Sequence, residues 1–336
     1  MFTRKTLKTS VGVAIIIVVP MLPGLALAAS PLKSASGTWM LAAVTATLAS
    51  LLVGARLGIV VGLGLTAASF LGYLATGDPW LAMIVMACSA GLYGLSSRLG
   101  VHTAISMAPI SLAFIMAERI PILDGASVLE NALLTALVVL GATLWSLPIG
   151  WFMGKRIPHR ELHPLNSTRA HAFAIVIAVV AGTAMWVVVH FDWKHGGAWF
   201  LLTLFVVIQP NMHATWIKSL QRALGTILGF AIAYVISVVI TAEWLLYIAG
   251  LICLGTAVFM YINPKRNYWQ YATFLTPAIV ILEGTSNSIV STDLQRLRFT
   301  LLGVLVSLVV LALLVPIFGR SPRPAHPTHE EQHADQ

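Results

Sequence analysis

Long stretches without a charged residue divide this chain, and they limit it to very few folds. A helix of about 20 apolar residues crosses hydrocarbon ~30 Å thick, because each residue rises 1.5 Å. All but one of the charge-free intervals have about that length; 267–282 is shorter and ends at Glu283. The pattern predicts an all-α integral membrane protein with about twelve transmembrane helices. The intervals are 9–32, 34–55, 57–77, 79–97, 99–117, 131–154, 170–191, 195–217, 223–242, 244–264, 267–282 and 299–319.

Composition excludes a water-soluble domain. Hydrophobic residues form 58% of the 336, charged residues only 10%, and the mean hydropathy is +0.88, whereas soluble domains carry roughly 25% charged residues. The net charge of +8 needs no nucleic-acid partner, because Lys and Arg are retained on the cytoplasmic side of membrane proteins. If the chain spans a bacterial inner membrane with both termini in the cytoplasm, 15 of the 20 Lys and Arg residues lie on the cytoplasmic side. The outer ones are then Lys33, Arg119, Lys194, Arg296 and Arg298.

An internal repeat predicts two parallel six-helix halves. Trp39 and Trp199 each open a helix, and Trp80 and Trp244 each begin a later one. An even number of helices per unit places both halves in the same orientation, related by an axis along the membrane normal. The predicted divisions are a first repeat at 1–154, a cytoplasmic linker at 155–169, a second repeat at 170–319 and a disordered tail at 320–336. Two small-xxx-small pairs, Gly58/Gly62 and Gly225/Gly229, indicate close helix packing.

The first 29 residues also resemble a secretory signal, with a basic start, an apolar run and the small-residue stretch LALAAS. Cleavage there would leave eleven helices. The repeat favours retention, because the basic cluster and apolar run at 4–29 correspond to Arg169 and the run at 171–190.

A mid-membrane site is predicted around Pro277. Proline removes a backbone donor and clashes with the preceding turn, so we expect it to kink or break its helix, with hydroxyls from Thr273 and Thr276 beside the freed carbonyls. Glu283 then has the chemistry to load and release a proton, because acids inside a membrane tend to mark ion paths. The alternatives are a purely structural kink and an acid at the outer interface. Pro109 is the equivalent proline in the first half.

Basic and aromatic residues near predicted helix ends suggest a second site. A positive vestibule would concentrate anions at the membrane; the alternative is contact with phospholipid headgroups. Its predicted members are Arg222, Lys265, Arg266, Asn267 and Tyr268. Trp39 and Trp199 are expected at the outer ends of equivalent helices, either as interfacial anchors or as a stacking surface for an aromatic substrate.

The chain lacks the motifs of other function classes. No G-x-x-x-x-G-K-[ST] sequence occurs, so ATP hydrolysis is not expected and proton-driven secondary transport is the default. No nucleophile–base pair or cluster of metal ligands is evident in the sequence. We therefore expect neither an enzyme nor a bound metal or cofactor.

The second half resembles a known family. The segments are WFLLTLFVVIQP at 199–210, KSLQRALGTILG at 218–229 and NPKRNYWQYATFLTPAIVILEG at 263–284. This pattern is similar to the membrane domain of the fusaric acid resistance protein-like (FUSC) and aromatic acid exporter family, while only the repeat extends the similarity to the first half. The resemblance implies efflux of aromatic or other hydrophobic organic acids across the inner membrane. It also implies a periplasmic adaptor and an outer-membrane channel as partners.

Two other functions stay open. Plant malate channels look related to the same family, which makes a passive organic-anion channel the first alternative. A scaffold that assembles an envelope complex without transporting is the second. Membrane lipids and further copies of the chain are additional expected partners.

Overall fold

The protein is helical throughout the part that the structure describes. A computed structural model describes residues 19–154, 162, 164–210, 212–240, 242–262, 267–283 and 289–318, and every regular element in these ranges is a helix. The α-helices are α1 (Val19–Ala28), α2 (Ser36–Leu52), α3 (Ala55–Ala75), α4 (Pro79–Leu95), α5 (His102–Ile105), α6 (Met107–Glu118), α7 (Val128–Gly154), α8 (Ser167–His190), α9 (Lys194–Val207), α10 (Met212–Val239), α11 (Glu243–Ile262), α12 (Tyr268–Glu283) and α13 (Ile289–Phe318).

Many of these helices are suited to a bilayer. Among the described residues, seven helical segments are long and apolar enough to cross a membrane: Lys33–Leu52, Ala55–Ala75, Pro79–Leu99, Val128–Phe152, Ser167–His190, Ala214–Val239 and Leu294–Leu313. Their outward faces carry large apolar side chains such as Val60, Leu92 and Ile175, each about two-thirds exposed. Hydrocarbon solvates such a surface well, whereas a water-soluble protein rarely exposes extended apolar patches. The chain is therefore a multi-pass membrane protein.

Local sequence signals set several helix ends. Asp78 caps α4, because its carboxylate accepts hydrogen bonds from the backbone N–H of Trp80 at 2.7 Å and of Leu81 at 3.3 Å. Before α7, the N–H of Ser127 donates to Glu130 while the N–H of Glu130 donates to the Ser127 hydroxyl, which is a reciprocal capping box. Gly54 turns the chain between α2 and α3 with φ of +131°, a conformation that needs glycine.

Small residues let the helices pack closely. α4 lies along α8, with Gly94 directly against Ala174, and a Cβ on Gly182 would lie 2.9 Å from Ala87. In the first half both α2 and α3 pack on α7, and in the second half both α9 and α10 pack on α13. The glycine pairs do the packing predicted for them: Gly58 meets Ser50 and Gly62 meets Thr143.

Two predicted segment boundaries are wrong. The interval 195–217 was expected to be one span, but α9 ends at Val207 and α10 begins at Met212. Gln209 caps this break, because its side-chain amide donates to the Val206 carbonyl at 3.0 Å, and Pro210 cannot continue a helix. A stretch without charged residues therefore does not have to form one continuous helix.

The last helix also begins earlier than predicted. The interval 299–319 placed Arg296 and Arg298 in an outer loop, whereas α13 starts at Ile289 and contains both. Because the two residues are two positions apart, they point to different sides of the helix. Arg298 is exposed, while Arg296 is buried with 5% of its surface accessible.

Candidate functional site

A large cavity lies between the two halves of the bundle. Its volume is about 1020 Å³, at the upper end of the range of about 300–1,000 Å³ for small-molecule sites. Its lining comes from α1 to α7 in the first half and from α9, α10 and α12 in the second. Aromatic side chains are prominent in the lining: Tyr73, Tyr93, Phe114, Trp199, Phe205, Tyr268 and Tyr271. Such a cavity suits an apolar or aromatic molecule of modest size.

A buried arginine supplies positive charge to the cavity wall. Arg222 has only 4% of its surface accessible, and its Nη1 donates a hydrogen bond to the Tyr268 hydroxyl at 3.1 Å. Its Nε is buried and has no hydrogen-bond partner among the described residues. Arginine remains charged at any physiological pH, and a buried donor without a partner costs free energy. The arrangement therefore favours an anion that could accept from this guanidinium.

Arg222 does not occupy the helix end predicted for it. It is the eleventh residue of α10, which begins at Met212, although its partner Tyr268 is the first residue of α12. Lys218, one turn earlier on α10, also lines the cavity. Asn267 is exposed, and its carbonyl accepts from the Gln270 N–H at 3.1 Å at the start of α12. Lys265 and Arg266 lie outside the described residues.

The face of α12 that meets the cavity is not the one predicted to bind. Tyr268, Tyr271, Leu275 and Ile279 line the cavity, and their spacing of three or four residues places them on one side of the helix. Thr273, Thr276 and Pro277 are not among the lining residues. The Thr273 hydroxyl donates to the Trp269 carbonyl and the Thr276 hydroxyl to the Ala272 carbonyl, each at 2.9 Å. Both donors are thus used within their own helix.

Of the kink or break predicted at Pro277, the break is absent. The helix runs without interruption from Tyr268 to Glu283. Without an N–H, Pro277 leaves the Thr273 carbonyl without its intrahelical donor, and α10 packs at this point. A Cβ on Gly229 would lie only 2.7 Å from the Thr273 oxygen and 3.2 Å from Cδ of Pro277. This close packing supports the helix through the proline. The side chain of Glu283 lies outside what the structure describes.

Pro109 is different, because the helix before it is interrupted. α5 ends at Ile105 and α6 begins at Met107. Pro109 has no N–H to donate to the carbonyl of Ile105, four residues earlier, so the helix cannot continue regularly there. Pro109 itself is buried and is not among the residues lining the cavity, although Ser106 and Met107 at the interruption are.

Trp199 is an interior residue of the cavity wall. It is 4% exposed, which removes the option of an interfacial anchor. The Phe114 ring meets it edge to face with centroids 5.2 Å apart. The guanidinium carbon of Arg296 lies 3.7 Å from the centre of its ring, a close cation–π contact.

Trp39, by contrast, packs against neighbouring helices outside the cavity. Its indole N–H donates to the Pro20 carbonyl of α1 at 3.3 Å, and its ring lies against Gly141 of α7. It is half-buried and is not among the described residues that line the cavity. Of the two tryptophans, only Trp199 is among the described residues that line the cavity.

Several residues of the site were missed from the sequence. Arg296 was assigned to a loop, and Phe114, Tyr93 and Phe205 stood inside apolar runs without any distinguishing signal. The aromatic face of α12 could have been found from the spacing of Tyr268, Tyr271, Leu275 and Ile279. Within the described part of the chain, no group of three His, Cys, Asp or Glu side chains is placed to hold a metal ion.

Comparisons with known proteins match part of this chain. A protein of Haemophilus influenzae called "Uncharacterized protein" is 32% identical over 152 residues, which is 44% of this chain and 20% of that protein. The chain thus spans about a fifth of that relative's length. No solved structure matches. The model of the fusaric acid resistance protein-like family matches residues 180–310, a range that contains the whole of α9, α10, α11 and α12. The resemblance seen in the sequence is therefore confirmed for this part of the membrane protein.

Proposed function

We propose that this protein is an efflux transporter that moves aromatic or other hydrophobic organic acids through the cavity. Three features support the proposal: the family match over residues 180–310, the aromatic lining, and the buried Arg222. An organic acid has an apolar body and an anionic head, and the cavity offers a partner for each.

The burial of Arg222 in the cavity wall is the main support for the proposal. A carboxylate in the cavity could accept from the guanidinium of Arg222, which lines the cavity and carries a full positive charge. Hydrogen bonds to a charged group contribute about 1.5–3 kcal/mol. The Tyr268 hydroxyl, which accepts from Nη1, orients the guanidinium. We therefore assign Arg222 the role of carboxylate anchor.

The test is transport in proteoliposomes with benzoate as the probe. We expect Arg222→Met to raise KM at least tenfold, because roughly 1.4 kcal/mol corresponds to a factor of ten. Arg222→Lys should recover only part of the loss, since an ammonium lacks the planar fork. Arg56→Met is the matched control, because Arg56 is the counterpart of Arg222 in the sequence repeat but is exposed at the start of α3. Equal KM values for Arg222→Met and Arg56→Met would contradict the assignment.

A passive organic-anion channel is the second candidate, and the extent of the cavity favours it. Short connections make consecutive helices antiparallel, so Tyr73 near the end of α3 and Tyr93 near the end of α4 belong to opposite ends of the bundle. Both line the same cavity. Currents that reverse at the equilibrium potential of the organic anion, whatever the proton gradient, would identify a channel. Accumulation driven by a proton gradient would identify a coupled transporter.

Proton coupling is proposed to use Glu283, the last residue of α12. The support is its position at the end of the cavity-lining helix and the tendency of acids in membrane segments to mark ion paths. We expect Glu283→Gln to keep expression while abolishing transport driven by a proton gradient. Normal pH-driven transport by this variant would exclude Glu283 as the coupling group.

We also propose the two-repeat architecture, with both termini in the cytoplasm and the protein in the inner membrane. The support is the bias of Lys and Arg together with the similar packing of α2 and α3 on α7 and of α9 and α10 on α13. In a variant lacking Cys88 and Cys253, single cysteines at positions 160 and 325 should be shielded from impermeant reagents in spheroplasts. One at position 290 should label. Labelling at position 160 would reverse the orientation.

A further inference from the structure

Two basic side chains on one face of α10 meet the cavity. Lys218 and Arg222 are four residues apart on this helix, so they lie on the same side about one turn apart, and both line the cavity. Like charges at this spacing repel each other. The repulsion grows where the dielectric constant falls, and here Arg222 is buried and Lys218 is partly buried. The carboxylate anchor uses only one of these two charges.

Basic side chains outnumber acidic ones among the described residues that line the cavity. Lys33, Lys218 and Arg222 are basic, and Glu118 at the end of α6 is acidic. Ser34, next to Lys33, donates a hydrogen bond to the Ile122 carbonyl just beyond α6 at 3.1 Å. Lys33 and Glu118 therefore belong to the same end of the cavity, where their charges offset each other. The excess positive charge of the described lining is that of α10.

We propose that the cavity binds organic acids that carry two negative charges, with one carboxylate on Arg222 and the other on Lys218. The inference rests on the proposed function and narrows its substrate class from organic acids in general to dianions. A dianion neutralises both side chains at once, whereas a monoanion leaves one of them beside a like charge. Lysine suits the second position, because its ammonium is a point charge on a flexible stem and reaches carboxylates at different distances.

The apolar part of the lining favours an organic dianion over an inorganic one. Tyr268 accepts the hydrogen bond from Arg222 at 3.1 Å, and Tyr271, Leu275 and Ile279 continue the cavity wall along α12 from there. Small-molecule sites are mostly apolar, with a few polar groups that fix the orientation of the ligand. A carbon skeleton gains free energy by covering this apolar wall, and an inorganic anion does not.

The experiment compares benzoate with terephthalate, which have the same ring but carry one and two carboxylates. All of these carboxylates are ionised at neutral pH. Dissociation constants are measured on the full chain in nanodiscs, and transport is measured with the same preparations in liposomes. We expect the wild type to bind terephthalate about fivefold or more tightly than benzoate, because a second charge-assisted hydrogen bond forms. Displacement of benzoate by sulfate as effectively as by terephthalate would contradict an organic dianion.

Lys218 is tested by the same ratio of dissociation constants. Lys218→Met keeps an unbranched side chain without the charge, so it should weaken terephthalate binding alone and bring the ratio close to one. Lys218→Arg should keep the preference for terephthalate. Lys33→Met is the matched control, because it also removes a positive charge from the lining but outside α10, and it should keep the wild-type ratio.

The outcomes separate this inference from the proposed function. If the wild type binds both acids equally, or if Lys218→Met matches Lys33→Met, the inference is overturned even where benzoate is transported. If terephthalate is preferred and Lys218→Met removes the preference, the inference stands, although failure to move either acid would overturn the proposed function. Should Lys218→Met not fold, Lys218→Gln removes the same charge and decides the result.

Discussion

Trp39 and Trp199, which correspond to each other in the proposed repeat, have different surroundings in the structure. Trp39 is in α2 and its ring packs on α7, whereas Trp199 is in α9 and its ring packs on α13. Trp39 rests on Gly141 and donates a hydrogen bond to Pro20. Trp199 rests under Arg296 and faces the cavity. The two tryptophans therefore differ through the neighbouring helix, which presents Gly141 to Trp39 and Arg296 to Trp199.

The largest expected effect comes from Trp199→Ala. Truncating a buried Trp removes packing on both sides, at a cost of about 3–5 kcal/mol in protein cores, and leaves Arg296 buried without its aromatic partner. We expect a marked fall in thermal stability in nanodiscs together with loss of benzoate transport. Trp39→Ala should cost less stability, because Trp39 is only half-buried, and should leave benzoate transport per folded molecule near normal. Equal benzoate transport by the two alanine variants would contradict the difference in role between Trp39 and Trp199.

An intermediate effect is expected from Gly141→Val. A Cβ at this position would lie 3.1 Å from Cζ3 of Trp39, so the added methyl groups must displace the ring. Overpacking costs about 1–3 kcal/mol, which should appear as a lower unfolding temperature with unchanged KM for benzoate. Gly64→Val is the control, because nothing lies within 4 Å of a Cβ at Gly64. A change in KM for Gly141→Val would give Trp39 a part in binding.

The smallest effect is expected from Trp39→Phe. This variant keeps a ring against Gly141 and loses only the hydrogen bond from the indole N–H to the Pro20 carbonyl, about 0.5–1.5 kcal/mol. Thermal unfolding should fall slightly and transport should not change. Trp199→Phe, by contrast, should lower benzoate transport, because it shrinks the ring that lines the cavity beneath Arg296. The reverse pattern would exchange the roles of the two residues.

The sequence alone determined that this chain is a helical membrane protein, and approximately where its helices lie. Charge-free intervals of bilayer length leave few other folds, since buried backbone in lipid must be satisfied within helices. The same sequence located the glycine pairs: Gly58 and Gly62 meet Ser50 and Thr143, and Gly225 and Gly229 meet α12. Small residues at four-residue spacing have one main use in apolar helices, which is close packing.

Only the tertiary structure decided which faces form the site. In a membrane protein the lipid-facing and interior faces are both apolar, so hydrophobic periodicity does not separate them. That is why the sequence favoured Pro277 and Thr273, which face α10, over Tyr271 and Leu275, which face the cavity. Arg296 was assigned to a loop for a different reason, because the charge-free interval 299–319 begins after it. Only its contact with Trp199 on a neighbouring helix places this charge inside the bundle.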